Sequence, residues 1–138
     1  MVLSYGGELD GDEVLAKLSN LPYEQIEFVP EVTLETVNSI ERGILYLMAF
    51  WSDLAMKGFA TLTKELNQHD TKHLRIVVAD VDGASNLNQL KEVSNSINNG
   101  DGNTLWIRNG KVLATLTPIS GGWDQLKLKN CMSQLDIE

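Results

Sequence analysis

The chain reads as an α/β protein with a central mixed sheet and helices on both faces. Three observations predict this. The runs ILYLMAF (residues 44–50) and LRIVVADV (74–81) are continuously apolar, short for core helices and rich in branched and aromatic residues, as strands buried on both sides are. Each run is followed by apolar residues stepping by three and four, the period of a helix with one buried face. Finally, Asn109-Gly110 stands between the strand patterns TLWIR and KVLATL, and this pair is the strongest short-range signal for an antiparallel hairpin.

In order along the chain, DEVLAKLSNL places Val14, Leu15, Leu18 and Leu21 near one face, predicting a short N-terminal helix that stops before Pro22. QIEFV alternates through Ile26 and Phe28 as a short strand ending at Pro30. Thr33 can cap a helix carrying Leu34, Val37 and Ile40, with Gly43 at its C-terminal side. After the first apolar run, Ser52 or Asp53 can cap a helix whose inward positions are Ala55, Phe59, Leu62 and Leu66. After the second, Ser85 can start a helix with Leu87, Leu90, Val93 and Ile97 inward, and NNGDGN is a loop by composition. The hairpin follows. A last helix, beyond Ser120-Gly121-Gly122, presents Leu128, Cys131, Met132 and Leu135 on one side. Alternation of strands and helices implies parallel pairing, to which the hairpin adds an antiparallel edge. At 138 residues the expectation is one domain, with residues 1–22 as a helical extension on a core of 23–138.

Charge and cysteine content narrow the function classes. The net charge of −8 argues against nucleic acid and anionic membrane as partners. That charge sits in residues 1–41, where nine acids face one base, Lys17, whereas residues 42–138 carry ten of each sign. The acidic third is a second candidate docking surface, although plain solvation explains it more simply. No apolar run is long enough to cross a bilayer and the first residues lack a leader pattern, so the expected location is cytoplasmic. Cys131 is the single cysteine, which rules out an intrachain disulfide and a multi-cysteine metal site, and its place in an apolar helical register suits a buried, inert thiol.

The element order is that of thioredoxin, with one additional helix at the front. A strand ending in an aromatic leads to Trp51, four residues and a helix, which resembles the family's W-C-G-P-C corner. VVADVDG resembles its third strand, and NTLWIRNGKVLATL its later strand, N-G turn and final strand. Residues 24–136 are covered. On this alignment Ser52, Asp53, Leu54 and Ala55 stand where the family has C-G-P-C, so both redox cysteines are missing. Tyr46 stands at the family's buried aspartate and Asn103 at its cis-proline, and a trans bond is expected before Asn103 because a cis bond without proline costs about 3 kcal/mol. Dithiol exchange needs a low-pKa thiolate and a second, resolving thiol, and serine and alanine supply neither.

The resemblance therefore implies a thioredoxin-like protein without dithiol chemistry, calling for no cofactor. It would act as a protein-binding or scaffolding module, possible uses including an assembly factor or chaperone. Its protein or peptide partner would lie along a groove formed by Trp51, Ser52, Asp53, Leu54, Asn103 and Thr104. Ser52 as a nucleophile would need a nearby base, and a helix from Ser52 to His69 would place the two about 25 Å apart. The alternative enzyme class is a magnesium-dependent phosphatase of haloacid dehalogenase type, resembled by D-x-D-G, with Asp80 and Asp82 as nucleophile and magnesium ligands. Ala84 departs from that pattern. His69 and His73 have the spacing of a helical metal pair but fall where the helix ends, a position the helix dipole favours for histidine without metal. DGDE and NNGDGN contain calcium-like acids without a complete binding-loop pattern.

Overall fold

The structure, a computed structural model, describes residues 11–81 and 102–137. Helix α1 spans Gly11–Leu18, and a 3₁₀ turn over Tyr23–Gln25 leads into β1, Ile26–Val29. There follow α2 (Leu34–Asn38), β2 (Arg42–Met48), α3 (Asp53–Leu66), β3 (Arg75–Asp80), β4 (Asn103–Arg108), β5 (Lys111–Leu116) and α4 (Gln125–Gln134). The helix expected from Ser85 and most of the NNGDGN loop lie outside the described residues, as does Asp82.

The five strands form one mixed sheet in the order β1-β3-β2-β4-β5. The first three are mutually parallel; β4 runs antiparallel to β2, and β5 antiparallel to β4. Strand β2 is central, and every one of its residues after Arg42 is buried, which accounts for its unbroken apolar sequence. Period-two alternation sends Ile44, Tyr46 and Met48 to one face with their β4 partners Trp106 and Thr104. Helix α3 covers that face through Phe59, whose ring meets Tyr46 edge-on at 5.4 Å between centroids. On the opposite face Ile40, just past α2, lies against Gly43. Helix α1 packs on α3, where the Asn20 side chain donates to the Ala60 carbonyl and its backbone N–H to Thr63 Oγ1.

Local chemistry explains the boundaries. Thr33 caps α2 through a reciprocal pair with Thr36, and Asp124 caps α4 by accepting the Lys127 N–H at 2.9 Å. Asn109 and Gly110 both take positive φ, 53° and 75°, the pairing a tight two-residue hairpin requires. Their N–H groups donate to the carbonyls of Glu41 and Ile40, which ties the hairpin tip to the corner before β2.

Two expectations need correction. Gly43 does not end α2, which closes at Ser39; it is the second residue of β2. A Cβ at Gly43 would come within 3.0 Å of the Arg75 backbone carbonyl on β3, so the glycine serves strand packing and not helix termination. The strand expected over 44–50 begins two residues earlier, and Ala49 and Phe50 belong to the following turn.

Arg75, at the start of β3, donates from Nε and one terminal nitrogen to both oxygens of Glu27 on β1, at 2.9 and 3.0 Å. These hydrogen bonds hold the Glu27 carboxyl below the ordinary carboxylate range. A group depressed in the folded state stabilises above its unfolded pKa, about 4.3, and that contribution is lost as pH falls through the folded value. Both side chains are more than a third exposed, so solvent limits the effect to about 0.2–1 kcal/mol. Glu27→Gln should therefore cost that little at pH 7 and nothing near pH 2, measured by urea unfolding across pH.

Candidate functional site

The corner between β2 and α3 is built by backbone hydrogen bonds before any side chain contributes. The Ser52 N–H donates to the Ala49 carbonyl at 3.0 Å, closing the turn, and the Met56 N–H donates to the Ser52 carbonyl. Ser52 is the N-cap of α3, its Oγ accepting the Ala55 N–H at 3.3 Å, and Asp53 supplies a negative charge to the first turn. Such a cap contributes about 1 kcal/mol, and the acid adds a favourable interaction with the helix dipole.

Phe50 turns inward and meets Phe28 edge-on, whereas Trp51 points out, 51% exposed, and Leu54 is 42% exposed. Two large apolar side chains thus flank the polar pair Ser52 and Asp53 at the surface. Asn103 and Thr104 are placed differently: both are buried, Asn103 at 2% exposure and Thr104 at 0%. Asn103 Oδ1 accepts the Thr117 hydroxyl, while Thr104 Oγ1 donates to the Leu116 carbonyl at 2.7 Å and accepts the Trp106 indole N–H at 2.8 Å. Their side chains support the floor, and the surface contributed by the corner comes from Trp51 to Leu54. No cis peptide bond occurs among the described residues, so the bond before Asn103 is trans, as expected.

Tyr46 lies fully buried beneath α3. Its hydroxyl donates to the Ala55 carbonyl at 2.7 Å, and its ring packs edge-on against Phe59 and Trp123. A Cβ on either Gly58 or Gly102 would fall within 3.0 Å of that hydroxyl, so two glycines make room for it. Trp123 completes the wall by donating its indole N–H to the Gly58 carbonyl and to Thr61 Oγ1. At the position aligned with the resembled family's buried acid, this chain has a tyrosine hydroxyl held within an aromatic cluster.

Residues 119–122 form a further tight turn, Ile119 and Gly122 exchanging both backbone hydrogen bonds while Ser120 and Gly121 take positive φ. The Gly121 carbonyl accepts from Thr61 Oγ1, and Gly121 lies against the Lys57 stem, which fixes this turn to α3 and leaves Ile119 78% exposed. In the sequence, Ser120-Gly121-Gly122 marked only the point beyond which the last helix begins, and nothing there pointed to an exposed isoleucine.

His69 and His73 lie beyond the C-terminal end of α3, at the opposite end of that helix from Ser52, and no group of three or more His, Cys, Asp or Glu residues among those described could hold a metal ion. Asp80 ends β3 opposite Met48. Cys131 is buried in α4, and desolvation raises its thiol pKa. No helix among the described residues is long and apolar enough to cross a membrane.

No protein-family description matches this chain, and no curated protein is similar to it in sequence. Solved structures are similar in fold. A chain from a structure addressing thiol resolution of yeast mitochondrial 1-Cys peroxiredoxin through glutathione and thioredoxin systems superposes with a TM-score of 0.59 at 14% identity, covering 83% of this chain and 100% of that one. Oxidized mitochondrial thioredoxin 3 from Saccharomyces cerevisiae gives 0.57 at 16% identity, covering 82% and 98%. Reduced desulfothioredoxin from Desulfovibrio vulgaris Hildenborough gives 0.55 at 12%, covering 79% and 95%. The fold is thioredoxin-like: a mixed five-stranded sheet with the Trp51 corner at the N-terminus of the helix that follows the central strand. Neither this architecture nor these comparisons support the phosphatase alternative.

Proposed function

We propose that this chain is a thioredoxin-like protein-binding or scaffolding module that does not carry out dithiol exchange and engages its partner non-covalently at the Trp51 corner. The observation that carries the reading is the identity of two atoms. At the N-terminus of α3 the position that would attack is the Ser52 hydroxyl, engaged as a helix cap, and the position that would resolve is the buried methyl group of Ala55. The one thiol is buried in α4. Exposed Trp51 and Leu54 supply the kind of aromatic and aliphatic anchors that dominate protein interfaces, with Ser52 and Asp53 as polar rim. Asn103 and Thr104 contribute by holding the floor. A dedicated assembly factor or chaperone for one enzyme fits the same surface.

Two measurements test this. With dithiothreitol as reductant, the chain should not accelerate insulin reduction; thiol-dependent turnover would contradict the reading. Affinity capture from the source cell should recover a partner that Trp51→Ala loses by about tenfold or more, corresponding to a hot-spot loss above roughly 1.4 kcal/mol. Retention by Trp51→Ala together with loss on deleting residues 1–20 would instead assign binding to the acidic N-terminal region.

A further inference from the structure

A cavity of about 430 Å³ lies between α3 and α4, at the opposite end of α3 from the Trp51 corner. Trp123 fixes how the two helices meet: its indole N–H donates to the Gly58 carbonyl and to Thr61 Oγ1, which starts α4 beside the middle of α3. Further along, Leu128 and Met132, one helical turn apart and both buried, form the floor. The end wall is made by the chain turning back on α4. The Asp136 N–H donates to the Ser133 carbonyl and the Ile137 N–H to the Met132 carbonyl, a Schellman closure that seats buried Ile137 against the cavity. Asp136 takes a positive φ of 58° to do so, and its carboxylate is secured by Arg108 at 2.8 Å.

The rims carry charges that the fold leaves unspent. Glu65 on α3 and Lys129 on α4 line this same cavity without pairing with one another; among the described residues the ion pairs are Glu27 with Arg75 and Arg108 with Asp136. Neither finds a partner along its own helix. No Asp or Glu stands three or four residues from Lys129, and no Lys or Arg stands three or four from Glu65, whose titratable neighbour at that spacing is His69 on the same wall. The polar rim is otherwise committed to backbone, the Ser133 hydroxyl donating to the Lys129 carbonyl at 3.1 Å and the Gln125 amide to the Trp123 carbonyl at 3.3 Å.

From an apolar floor between two opposite, unpaired charges we infer that this cavity binds a free amino acid with a large apolar side chain. The charges select the ligand. A monocarboxylate answers Lys129 but faces Glu65, an amine answers Glu65 but faces Lys129, and an uncharged molecule answers neither; a zwitterion satisfies both walls at once. Its side chain rests on Leu128, Met132 and Ile137, where the flexible methionine adapts to the occupant's shape. The volume falls within the range of small-molecule sites and accommodates a ligand the size of phenylalanine.

The test titrates the full chain, labelled with nitrogen-15, with phenylalanine and with two analogues that each lack one charge, phenylpropanoate and phenylethylamine. Glycine serves as the zwitterion without an apolar body. Phenylalanine should shift the amides around Glu65, Lys129 and Met132 and bind about fivefold tighter than either analogue, and glycine should not bind. Glu65→Gln should bind phenylalanine no tighter than phenylpropanoate, and Lys129→Gln no tighter than phenylethylamine. The ligand comparison on the unaltered chain stands whether or not either variant folds. Absence of shifts at about 20 mM phenylalanine, equal binding of the three aromatic ligands, glycine binding as tightly as phenylalanine, an unchanged preference in both folded variants, or shifts centred on Trp51 would each overturn the inference.

Discussion

Tyr46→Ala should remove about 3–5 kcal/mol of stability, a large share of the roughly 5–15 kcal/mol margin of an ordinary domain, and lower the unfolding midpoint accordingly. The side chain is wholly buried at the centre of β2, where its removal empties a space bounded by Phe59, Trp123, Gly58 and Gly102. Tyr46→Phe separates the hydroxyl from the ring. It removes one of two hydrogen bonds to the Ala55 carbonyl, which inside α3 still has its intrahelical partner, at a cost of about 0.5–1.5 kcal/mol. Gly58→Ala should be clearly destabilising beside the hydroxyl and milder beside phenylalanine, because the colliding atom is gone. Chemical unfolding of the single and double variants measures this coupling. Additive losses would show that the hydroxyl does not set the glycine requirement.

The second large effect is a gain of reactivity. Ser52→Cys should be alkylated by iodoacetamide at pH 7 about tenfold or more faster than Cys131 in the same folded protein. A sulfur at residue 52 inherits the Ala55 N–H and the positive end of α3, both of which favour thiolate, whereas Cys131 is buried and its thiol pKa is raised by desolvation. Peptide mapping by mass spectrometry after timed quenching reads both sites at once. Equal rates in the folded state would mean that the corner does not act as the electrostatic site its geometry implies. The variant should still fail to turn over insulin, since residue 55 offers no second sulfur.

The parts of this fold that sequence reasoning recovered are those fixed by short-range chemistry. Asn109-Gly110 has one comfortable use, Thr33 and Ser52 cap the helices that follow them, and KVLATL is β5 from end to end. What escaped was decided across the sheet. Gly43 looked like a helix terminator because glycine usually is one there, and only the approach of Arg75 from β3, 32 positions away, shows its purpose. Asn103 and Thr104 were assigned to a surface groove by the thioredoxin alignment; Thr117, Leu116 and Trp106 supply the hydrogen bonds that let them be buried. Trp51 and Leu54 were legible as corner residues, but Ile119 was not, because nothing in its neighbours' identities tells that Thr61 and Lys57 hold the adjacent turn in place.

The tip of a two-stranded hairpin is ordinarily the first part of a sheet to trade its amide protons with solvent. Here the N–H groups of Asn109 and Gly110 are spent on Glu41 and Ile40, so that tip opens only when the corner preceding the central strand lets go. Exchange at these two positions therefore reports on the cooperative unit containing β2, and two late-sequence amides become a gauge of whether the middle of the molecule is intact.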